Sequence, residues 1–342
     1  MKVIDINFPS LDEMTSKIQT YKNSENEILV SVICLAYNHE KYIKSALDGF
    51  VNQKTNFKFE VLVHDDASTD NTAMIIREYQ RAYPEIIKPV FQAENQYSKH
   101  IGIISNFLLP DAKGKYLAFC EGDDYWCDEN KLQIQVDYLE SNESFVACVH
   151  NTEYFYVDSG KRKIAFSMQN RVINLQDCIL RVGRSYHTSS LVVRKTNFEN
   201  PPDFVTSVKG VGDYPRSIYY SLCGSIYYFG KVMSVYRFGT EGSWTKRITG
   251  DTSKYINNLE SIIKMLKMAD DYSKSVHHSL FAEAIEQQEY LICIAKNDFK
   301  KVIKSKKFFS EESLITRIKY YMYYIFPFVR TIAIRIRKLL RK

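Results

Sequence analysis

Short, almost uninterrupted apolar runs alternate along the chain with longer amphipathic stretches. Two such runs, Ile28–Ala36 and Phe59–His64, are typical of strands buried on both faces of a sheet, and Ile87–Phe91 and Tyr116–Cys120 repeat the pattern. Between the runs lie amphipathic stretches with helical periodicity, of which Ile43–Val51 is the first and a stretch near Ile101–Leu109 the last. Strands alternating with helices at this spacing predict right-handed βαβ units and a mostly parallel α/β sheet with flanking helices, Rossmann-like in character.

The second half of the chain has a different texture. Shorter strand-like segments predict a more irregular sheet region there. They lie at 145–150, 153–157, 161–166, 186–194, 226–230 and 232–237, with a tyrosine-rich helix ending near Leu222. Residues 255–268 and 279–295 have helical periodicity and predict a helical hairpin appended to the sheet domain.

Polar residues follow three of the predicted strands at the point where each strand ends. These are Tyr37–Asn38, Asp65–Asp66 and Glu121–Asp124. The carboxyl ends of parallel strands meet at one edge of a sheet, where open α/β sheets bind their ligands. We therefore expect the three groups to share one site.

Three acids within four residues, Glu121, Asp123 and Asp124, repel one another unless a cation or hydrogen-bond donors compensate their charge. A hard divalent ion such as Mg²⁺ or Mn²⁺ is a natural compensator, and it usually also holds nucleotide phosphates. The alternative is an acidic turn that caps the following helix, and Asp128 suits that role. For Asp123 and Asp124, a metal or a nucleotide is the favoured interpretation.

Composition indicates an ordinary globular protein rather than a disulfide framework or a zinc protein. The chain is 45% hydrophobic and 25% charged, and its seven cysteines form no Cys-x-x-Cys pair. The amino terminus lacks the pattern of a secretory signal, so we expect a cytoplasmic location with reduced thiols. A polar loop at Gly239–Gly250, with Trp244, Lys246 and Arg247, is suited to closing over a ligand.

The positive charge of the chain is concentrated at its end. Residues 313–342 hold eight basic residues and no acid, so the 46 basic residues fall to 38 against 40 acids once this segment is removed. Aromatic and aliphatic residues lie among these cations, including the uncharged block Tyr320–Val329, as in segments that bind an anionic membrane surface. Nucleic-acid binding and a solvated end are the alternatives, and we expect no nucleic-acid partner.

Four motifs, in order and spacing, resemble bacterial family 2 glycosyltransferases with the GT-A fold. They are Val30–Ile43 (VSVICLAYNHEKYI), Val63–Asp70 (VHDDASTD), Gly114–Trp126 (GKYLAFCEGDDYW) and Gly212–Pro215 (GDYP). The resemblance implies an inverting hexosyltransferase that uses Mn²⁺ or Mg²⁺ and a nucleotide-diphosphate sugar, typically a UDP-sugar. It also implies a glycan or polyprenyl-linked acceptor in capsule, lipopolysaccharide or other surface polysaccharide synthesis.

The resemblance also implies roles for individual residues. Tyr37 matches the residue that packs on the base, Asp66 the acid that accepts a hydrogen bond from it, and Asp213 the general base. Asp123 and Asp124 match the metal motif, in which Glu121 replaces the usual first Asp, so either Glu121 or Asp123 serves the ribose. The further candidates for nucleotide binding are Ala36, Asn38 and Glu40, and those for diphosphate or acceptor contacts are Trp126, His187, Arg237, Trp244, Lys246 and Arg247.

The predicted organisation is an extension at 1–27, a GT-A domain at 28–250, a helical appendage at 251–312 and a basic, amphipathic, membrane-associating tail at 313–342. Together with the implied polyprenyl-linked acceptor, the tail predicts peripheral attachment to the inner face of the cytoplasmic membrane. Two other functions remain open. A sugar nucleotidyltransferase usually has a Gly-rich phosphate loop after the first strand, which Tyr37–Glu40 lacks. A non-catalytic nucleotide-sugar binding protein would not need all four of Asp66, Asp123, Asp124 and Asp213.

Overall fold

A computed structural model describes residues 27–99, 101–180, 186–208, 212–240 and 251–329. The described residues fall into two compact units. The first lies within Met1–Pro202 and Arg216–Glu241, and the second within Asp203–Pro215 and Gly242–Lys342. Residues 1–26 of the predicted extension, 241–250 of the predicted polar loop and 330–342 of the predicted tail lie outside the described residues.

The first unit begins with the predicted alternation of strands and helices. Its elements are β1 (Ile28–Ala36), α1 (Ile43–Val51), β2 (Lys58–Asp65), α2 (Thr72–Ala82), β3 (Ile87–Phe91), β4 (Tyr116–Phe119), β5 (Tyr125–Trp126) and α3 (Lys131–Ser141). The predicted helix near 101–109 is instead a π-helical turn, Ile104–Leu108, followed by a 3-10 turn, Leu109–Asp111. Pro110 lacks a backbone N–H and so does not support a regular α-helix there.

The remaining elements up to the end of the sheet are longer strands and short helices. They are β6 (Phe145–Tyr156), β7 (Arg162–Ile164), β8 (Arg171–Ile173), α4 (Leu175–Leu180), β9 (Val192–Arg194), α5 (Thr196–Glu199), α6 (Asp203–Thr206), α7 (Asp213–Cys223) and β10 (Ser225–Phe238). Strands β6 and β10 each replace two predicted strands. In β10 the pairing register with β6 shifts between Phe229 and Val232, which accounts for the break in its apolar pattern.

The sheet confirms the predicted α/β class. Its strand order is β3-β2-β1-β4-β9-β6-β10-β5, with β7 paired to β6 and β8 to β10. Strands β3, β2, β1 and β4 run parallel, as do β6 and β10, whereas β9 is antiparallel to both of its neighbours. The carboxyl ends of β1, β2 and β4 therefore lie at one edge of the sheet, as the sequence predicts.

A buried polar contact fixes where β4 begins. The Ser31 hydroxyl donates a 2.7 Å hydrogen bond to the Glu60 carboxylate, and the backbone N–H of Gly114 donates a 2.8 Å bond to the same hydroxyl oxygen. A Cβ at Gly114 would lie 2.4 Å from the Ser31 nitrogen, so only glycine allows this approach. The register of β4 beside β1 then sets the position of the acidic loop that follows it.

The second unit is helical. Its later helices are α8 (Thr252–Tyr272), α9 (His278–Lys296), α10 (Phe299–Lys304), α11 (Lys306–Glu311) and α12 (Leu314–Ile325). Helices α8 and α9 form the predicted hairpin. A small aromatic core includes Tyr290, Phe299, Phe309 and Tyr320, in which the rings of Phe299 and Tyr320 stack with centroids 5.5 Å apart. Among the described residues, no helix is both long enough and apolar enough to cross a membrane.

Candidate active site

The loops after β1 and β2 are braced against each other by side chains that the sequence assigns to nucleotide binding. Asn38, whose φ is 55°, accepts a 2.8 Å hydrogen bond from the backbone N–H of Thr69. The Glu40 carboxylate accepts hydrogen bonds from the backbone and side chain of Asn71. The backbone N–H of Glu40 donates a 3.0 Å bond to the Asp70 carboxylate. Asn38 and Glu40 thus hold the shape of this edge, and their contact with a nucleotide stays a prediction.

Beside this brace, a buried carboxylate lies next to an exposed aromatic ring. The carbonyl of buried Ala36 accepts a 3.0 Å hydrogen bond from the Asp66 N–H, while Tyr37 is 44% exposed. Asp66 is 3% exposed, and its carboxylate accepts 2.7 and 3.0 Å bonds from the backbone N–H groups of Gln96 and Tyr97. Tyr97 is itself 46% exposed and was not suggested by the sequence, because only the folded loop after β3 brings it to Asp66.

The acidic loop that follows β4 depends on a glycine. The Gly122 N–H donates a 2.8 Å hydrogen bond to the carbonyl of Leu35, and the Asp124 N–H donates a 3.0 Å bond to the carbonyl of Glu121. A Cβ at Gly122 would lie 2.9 Å from Nδ1 of His39 and 3.1 Å from the Leu35 oxygen. This close packing against β1 holds the three acids at the edge of the sheet.

Electrostatics within the loop favour a positive ligand. Burial, and secondly the charge of Asp123, raises the pKa of Glu121 to about 8. Burial and then Asp123 also raise the pKa of Asp124, which is 1% exposed, well above its usual range. Removing carboxylates from water disfavours their charged form, and like charges add to the penalty. A cation at this loop would lower both pKa values and favour the ionised form of Glu121 and Asp124.

Donor groups from β10 and the residues after it reach the same loop. The Arg237 backbone N–H donates a 2.9 Å bond to the Asp124 carboxylate, and its guanidinium donates a 2.7 Å bond to the carbonyl of Asp123. The Thr240 hydroxyl donates a 3.0 Å bond to the Asp123 carboxylate. The guanidinium also lies 4.6 Å from the ring centroid of Tyr125 in β5, which pairs with β10. Arg237 is therefore fixed beside the acids, as a predicted diphosphate contact would be.

His187 lies on another side of Asp124, 3.9 Å from its carboxylate to Nδ1. Its ring packs on Tyr236 with centroids 4.1 Å apart, and Nδ1 lies 2.8 Å from the Ser189 hydroxyl, which donates to Ser234 at 2.9 Å. Burial lowers the pKa of His187 to about 4, so its imidazole is neutral at pH 7. The predicted strand at 186–194 is instead a 3-10 turn, Thr188–Ser190, followed by β9, because His187 bonds the backbone N–H of Ser189.

Trp126 and Asp128 make contacts other than the predicted ones. Trp126 is 3% exposed, packs edge-on against Phe50, and donates from Nε1 to the carbonyl of Ser189 at 2.9 Å, so it is a core residue rather than an open surface for a sugar. Asp128 forms an ion pair with Lys231 and accepts a hydrogen bond from the backbone N–H of Asn130, the residue before α3. Its side chain makes no cap hydrogen bond to α3.

The predicted base, Asp213, is the first residue of α7. The residue is exposed, and its carboxylate accepts a 2.9 Å hydrogen bond from the N–H of Tyr214. Desolvation nevertheless raises the pKa of this carboxyl group above its usual range. Trp244, Lys246 and Arg247 lie outside the described residues.

The donor set fits a hard divalent ion that is only partly enclosed by protein. In the part of the chain that the structure describes, no three His, Cys, Asp or Glu side chains are grouped to hold a metal. Mg²⁺ typically binds through one or two carboxylates and completes its shell with water and substrate phosphates. Asp123 and Asp124 are a pair of carboxylates of this kind, and their role as metal ligands stays a prediction.

Comparison with known proteins agrees with this geometry. The model of the family "Glycosyl transferase family 2" matches residues 31–195, which span β1 to β9 and include the acidic loop. An uncharacterised protein of Mycobacterium tuberculosis is 36% identical over 224 residues, covering 64% of this chain. The chain spans 62% of the length of that relative.

Relatives with named activities match a shorter stretch. The Escherichia coli protein WfaP, named as a UDP-Glc:α-D-GlcNAc-diphosphoundecaprenol β-1,3-glucosyltransferase, is 34% identical over 117 residues, covering 34% of this chain and 43% of WfaP. Glycosyltransferase alr2836 of Nostoc, itself uncharacterised, is 31% identical over 176 residues, covering 50% of this chain and 52% of its own.

Solved structures share the fold at low sequence identity. Residues 1–349 of Staphylococcus aureus TarS, in complex with UDP-GlcNAc, superpose with a TM-score of 0.55 at 19% identity, covering 86% of this chain and 78% of that fragment. The mannosyltransferase PcManGT of Pyrobaculum calidifontis, with GDP-Man and Mn²⁺, gives 0.51 at 18% identity, covering 84% and 80%. Residues 31–195 of the chain therefore resemble glycosyl transferase family 2, and the sheet has a GT-A-like fold.

Proposed function

We propose that this chain is an inverting glycosyltransferase of the hexosyltransferase type. It moves a sugar from a nucleotide-diphosphate donor, a UDP-sugar, to a hydroxyl of a glycan or lipid-linked glycan in surface polysaccharide synthesis. The observation that carries the proposal is the acidic loop: Glu121 and Asp124 have raised pKa values beside Asp123 and Arg237, at the ligand-binding edge of the sheet. The names of WfaP and of the TarS complex support a UDP-sugar donor.

The nucleotide is expected at the ends of β1 and β2. The exposed Tyr37 ring offers a flat surface for the base, and buried Asp66 offers acceptor oxygens, which retain lone pairs beyond those used by Gln96 and Tyr97. Glu121 or Asp123 then serves the ribose. Specific recognition of a base needs this combination of a flat apolar face and a fixed polar edge.

Asp123 and Asp124 would hold Mn²⁺ or Mg²⁺ together with the donor diphosphate. When bound, the ion neutralises the negative charge that develops on the leaving diphosphate. Arg237 is placed to add to this effect, because its guanidinium is fixed by the Asp123 carbonyl and the Tyr125 ring before any substrate arrives. Neutral His187 would orient the Asp124 side of the site without adding charge.

Asp213 is the proposed general base. Inversion requires a carboxylate that removes the proton of the acceptor hydroxyl as that oxygen attacks the anomeric carbon opposite the diphosphate. Desolvation raises the pKa of Asp213 and so increases its basicity. The competing role is capping of α7, in which the carboxylate accepts a bond from the adjacent Tyr214 N–H.

The two rival functions make different demands on the chain. A nucleotidyltransferase would need a Gly-rich phosphate loop after β1, but the loop at Tyr37–Glu40 contains no glycine and its side chains brace the β2 loop. A non-catalytic binding protein would bind a UDP-sugar without cleaving it to UDP and sugar. Turnover therefore separates the proposal from the second rival.

A lipid-linked acceptor implies that the enzyme works at a membrane. WfaP is named for a diphosphoundecaprenol acceptor, and residues 313–342 of this chain are basic without an acid. We propose peripheral attachment on the cytoplasmic side of the inner membrane, with the catalytic unit facing the sugar-nucleotide pool.

The test is release of nucleotide from UDP-Glc, UDP-Gal, UDP-GlcNAc and GDP-Man, with Mn²⁺ and a short-chain GlcNAc-diphospholipid acceptor, for the wild type and Asp213→Asn. We expect the variant to transfer sugar ~10²- to 10⁴-fold more slowly while binding UDP normally. Asp203→Asn is a matched control, because Asp203 is likewise an exposed acid that begins a short helix. Wild-type rates equal to those of Asp213→Asn, or a retained anomeric configuration in the product by NMR, would refute the mechanism.

A further inference from the structure

Helix α12 carries a band of large hydrophobic side chains in contact with solvent. Ile315 is 80% exposed and Leu314 64% exposed, values that are unusual for aliphatic residues on a folded helix. We call the exposed apolar residues of this helix face the α12 stripe. Its members are Leu314, Ile315, Ile318, Tyr321, Met322 and Ile325.

The stripe occupies one side of the helix only. At 3.6 residues per turn its six members fall within about 120° of the helix circumference. The opposite side faces the aromatic core, where Tyr320 stacks on Phe299 and Tyr323 lies 5.4 Å from the same ring. The helix is thus already anchored by one face. Within the stripe, Tyr321 lies edge-on to Phe309 of the core at 5.4 Å, but all six members are 39–80% exposed, so the stripe is a second and largely uncovered apolar face.

This arrangement refines a sequence-based expectation about the tail. The sequence presents Tyr320–Val329 as one uncharged block at the membrane interface. In the structure Tyr320 is 9% exposed and Tyr323 packs on Phe299, so the block is divided between core and surface. The exposed apolar surface begins earlier, at Leu314, and continues through the part of the block that lies on the other side of the helix.

Cations flank the stripe. By the same helical geometry Arg317 lies beyond one edge of the stripe and Lys319 beyond the other. No acid occurs from residue 313 to residue 342, and six more cations follow the helix in the sequence. A second copy of this chain seated on the stripe would bring like charges together along both edges. An anionic bilayer surface would instead pair with every one of them.

We propose that α12 lies in the plane of an anionic bilayer surface, with the α12 stripe inserted at the boundary of headgroups and acyl chains and Arg317 and Lys319 at the phosphates. An amphipathic helix with aliphatic residues on one face and flanking cations is suited to this position. The inference deepens the proposed membrane attachment by naming the residues that insert. It does not depend on sugar transfer, because lipid binding is measured without donor or acceptor.

The test is co-sedimentation of the full-length protein with vesicles of phosphatidylglycerol and phosphatidylethanolamine, and with vesicles of phosphatidylcholine alone. We compare the wild type with Ile315→Gln/Ile318→Gln, in which both replaced side chains are more than half exposed, so no cavity forms. Val276→Gln is the matched control, because Val276 is 74% exposed in the α8–α9 turn of the same unit. Circular dichroism and UDP binding verify that each variant is folded.

We expect the wild type and Val276→Gln to bind the anionic vesicles and to bind the phosphatidylcholine vesicles weakly. The double variant should partition at least about tenfold more weakly, because two large aliphatic side chains no longer insert. Equal partition of the double variant and the wild type would overturn the proposal. So would a wild-type dimer in light scattering that the double variant dissociates, since the stripe would then bind a second copy. Loss of transfer activity with lipid binding intact would count against the proposed enzyme function alone.

Discussion

Lys131 provides a quantitative test of the core beneath the acidic loop. It is the first residue of α3, it is completely buried, and its Nζ has no hydrogen-bond partner in the described part of the structure. The Nζ atom lies 3.8 Å from the ring centroid of Trp126, the residue that ties the acidic strand end to Ser189. Burial lowers the pKa of Lys131 from 10.5 to about 7. We predict that this residue makes folding stability depend on pH in a defined direction.

The sign follows from proton binding. Between pH 7 and pH 10.5 the unfolded chain holds a proton on Lys131 that the folded chain lacks, so the free energy of unfolding rises with pH in this window. Below pH 7 both states are protonated and the contribution is constant. Between pH 6 and pH 9 the rise amounts to about 2.5 kcal/mol, at 1.36 kcal/mol per tenfold change in the equilibrium constant.

The assay is urea unfolding at pH 6, 7, 8 and 9, followed by the fluorescence of Trp126 in a Trp244→Phe background, since the chain has two tryptophans. Lys131→Met keeps the length of the side chain and removes the titration. The difference in unfolding free energy between this background and its Lys131→Met variant should therefore shift by about 2.5 kcal/mol across this range. Lys300→Met, at an exposed position, should show no such shift. Parallel pH profiles with and without Lys131→Met would refute the reasoning.

Two further substitutions test how the acidic loop is held. Gly122→Ala places a Cβ 2.9 Å from Nδ1 of His39 and 3.1 Å from the Leu35 oxygen, so we expect a lower melting temperature and at least about tenfold weaker UDP binding by calorimetry. Gly102→Ala, whose nearest neighbour would be at 3.6 Å, should behave like the wild type, and equal effects of the two would contradict the packing argument. Arg237→Lys keeps the charge but loses the fixed bond to the Asp123 carbonyl and the stacking on Tyr125. The free energy of unfolding, measured with urea, should therefore fall by about 1–3 kcal/mol. An unchanged urea midpoint would show that the guanidinium geometry does not hold the loop.

The parallel part of the sheet is predictable from sequence because its signal is local. The run Ile28–Ala36 is apolar except for Ser31 and is buried along nearly its whole length, so the predicted and observed strands coincide. Strand β10 is different. Its two predicted halves join into one strand, Ser225–Phe238, since pairing with β6 continues across the polar interruption at Gly230 and Lys231. That pairing connects residues about 80 positions apart in the chain and leaves no local pattern.

The same distinction applies to the site. Asp123 and Asp124 are predictable because they directly follow a buried strand, and the edge of a parallel sheet is where ligands bind. Thr240 donates to Asp123, and Ser189 donates to Ser234 in β10. These contacts depend on the pairing of β5 with β10 and on the short turn at Thr188–Ser190, so no spacing in the sequence identifies the two residues. Trp126 illustrates the opposite case, since its position beside the acids suggests a ligand contact, whereas neighbours from α1 and the Ser189 turn bury it.

The most direct test of the account is calorimetric titration of UDP into the purified protein, with and without Mn²⁺. The variants compared are Asp123→Asn/Asp124→Asn, Asp213→Asn and, as a matched acidic control near the same loop, Asp128→Asn. The account predicts Mn²⁺-dependent binding of UDP that is lost in the double variant and retained in Asp213→Asn and Asp128→Asn. Equal binding by the double variant and the wild type, or no binding of UDP with Mn²⁺ present, would contradict it.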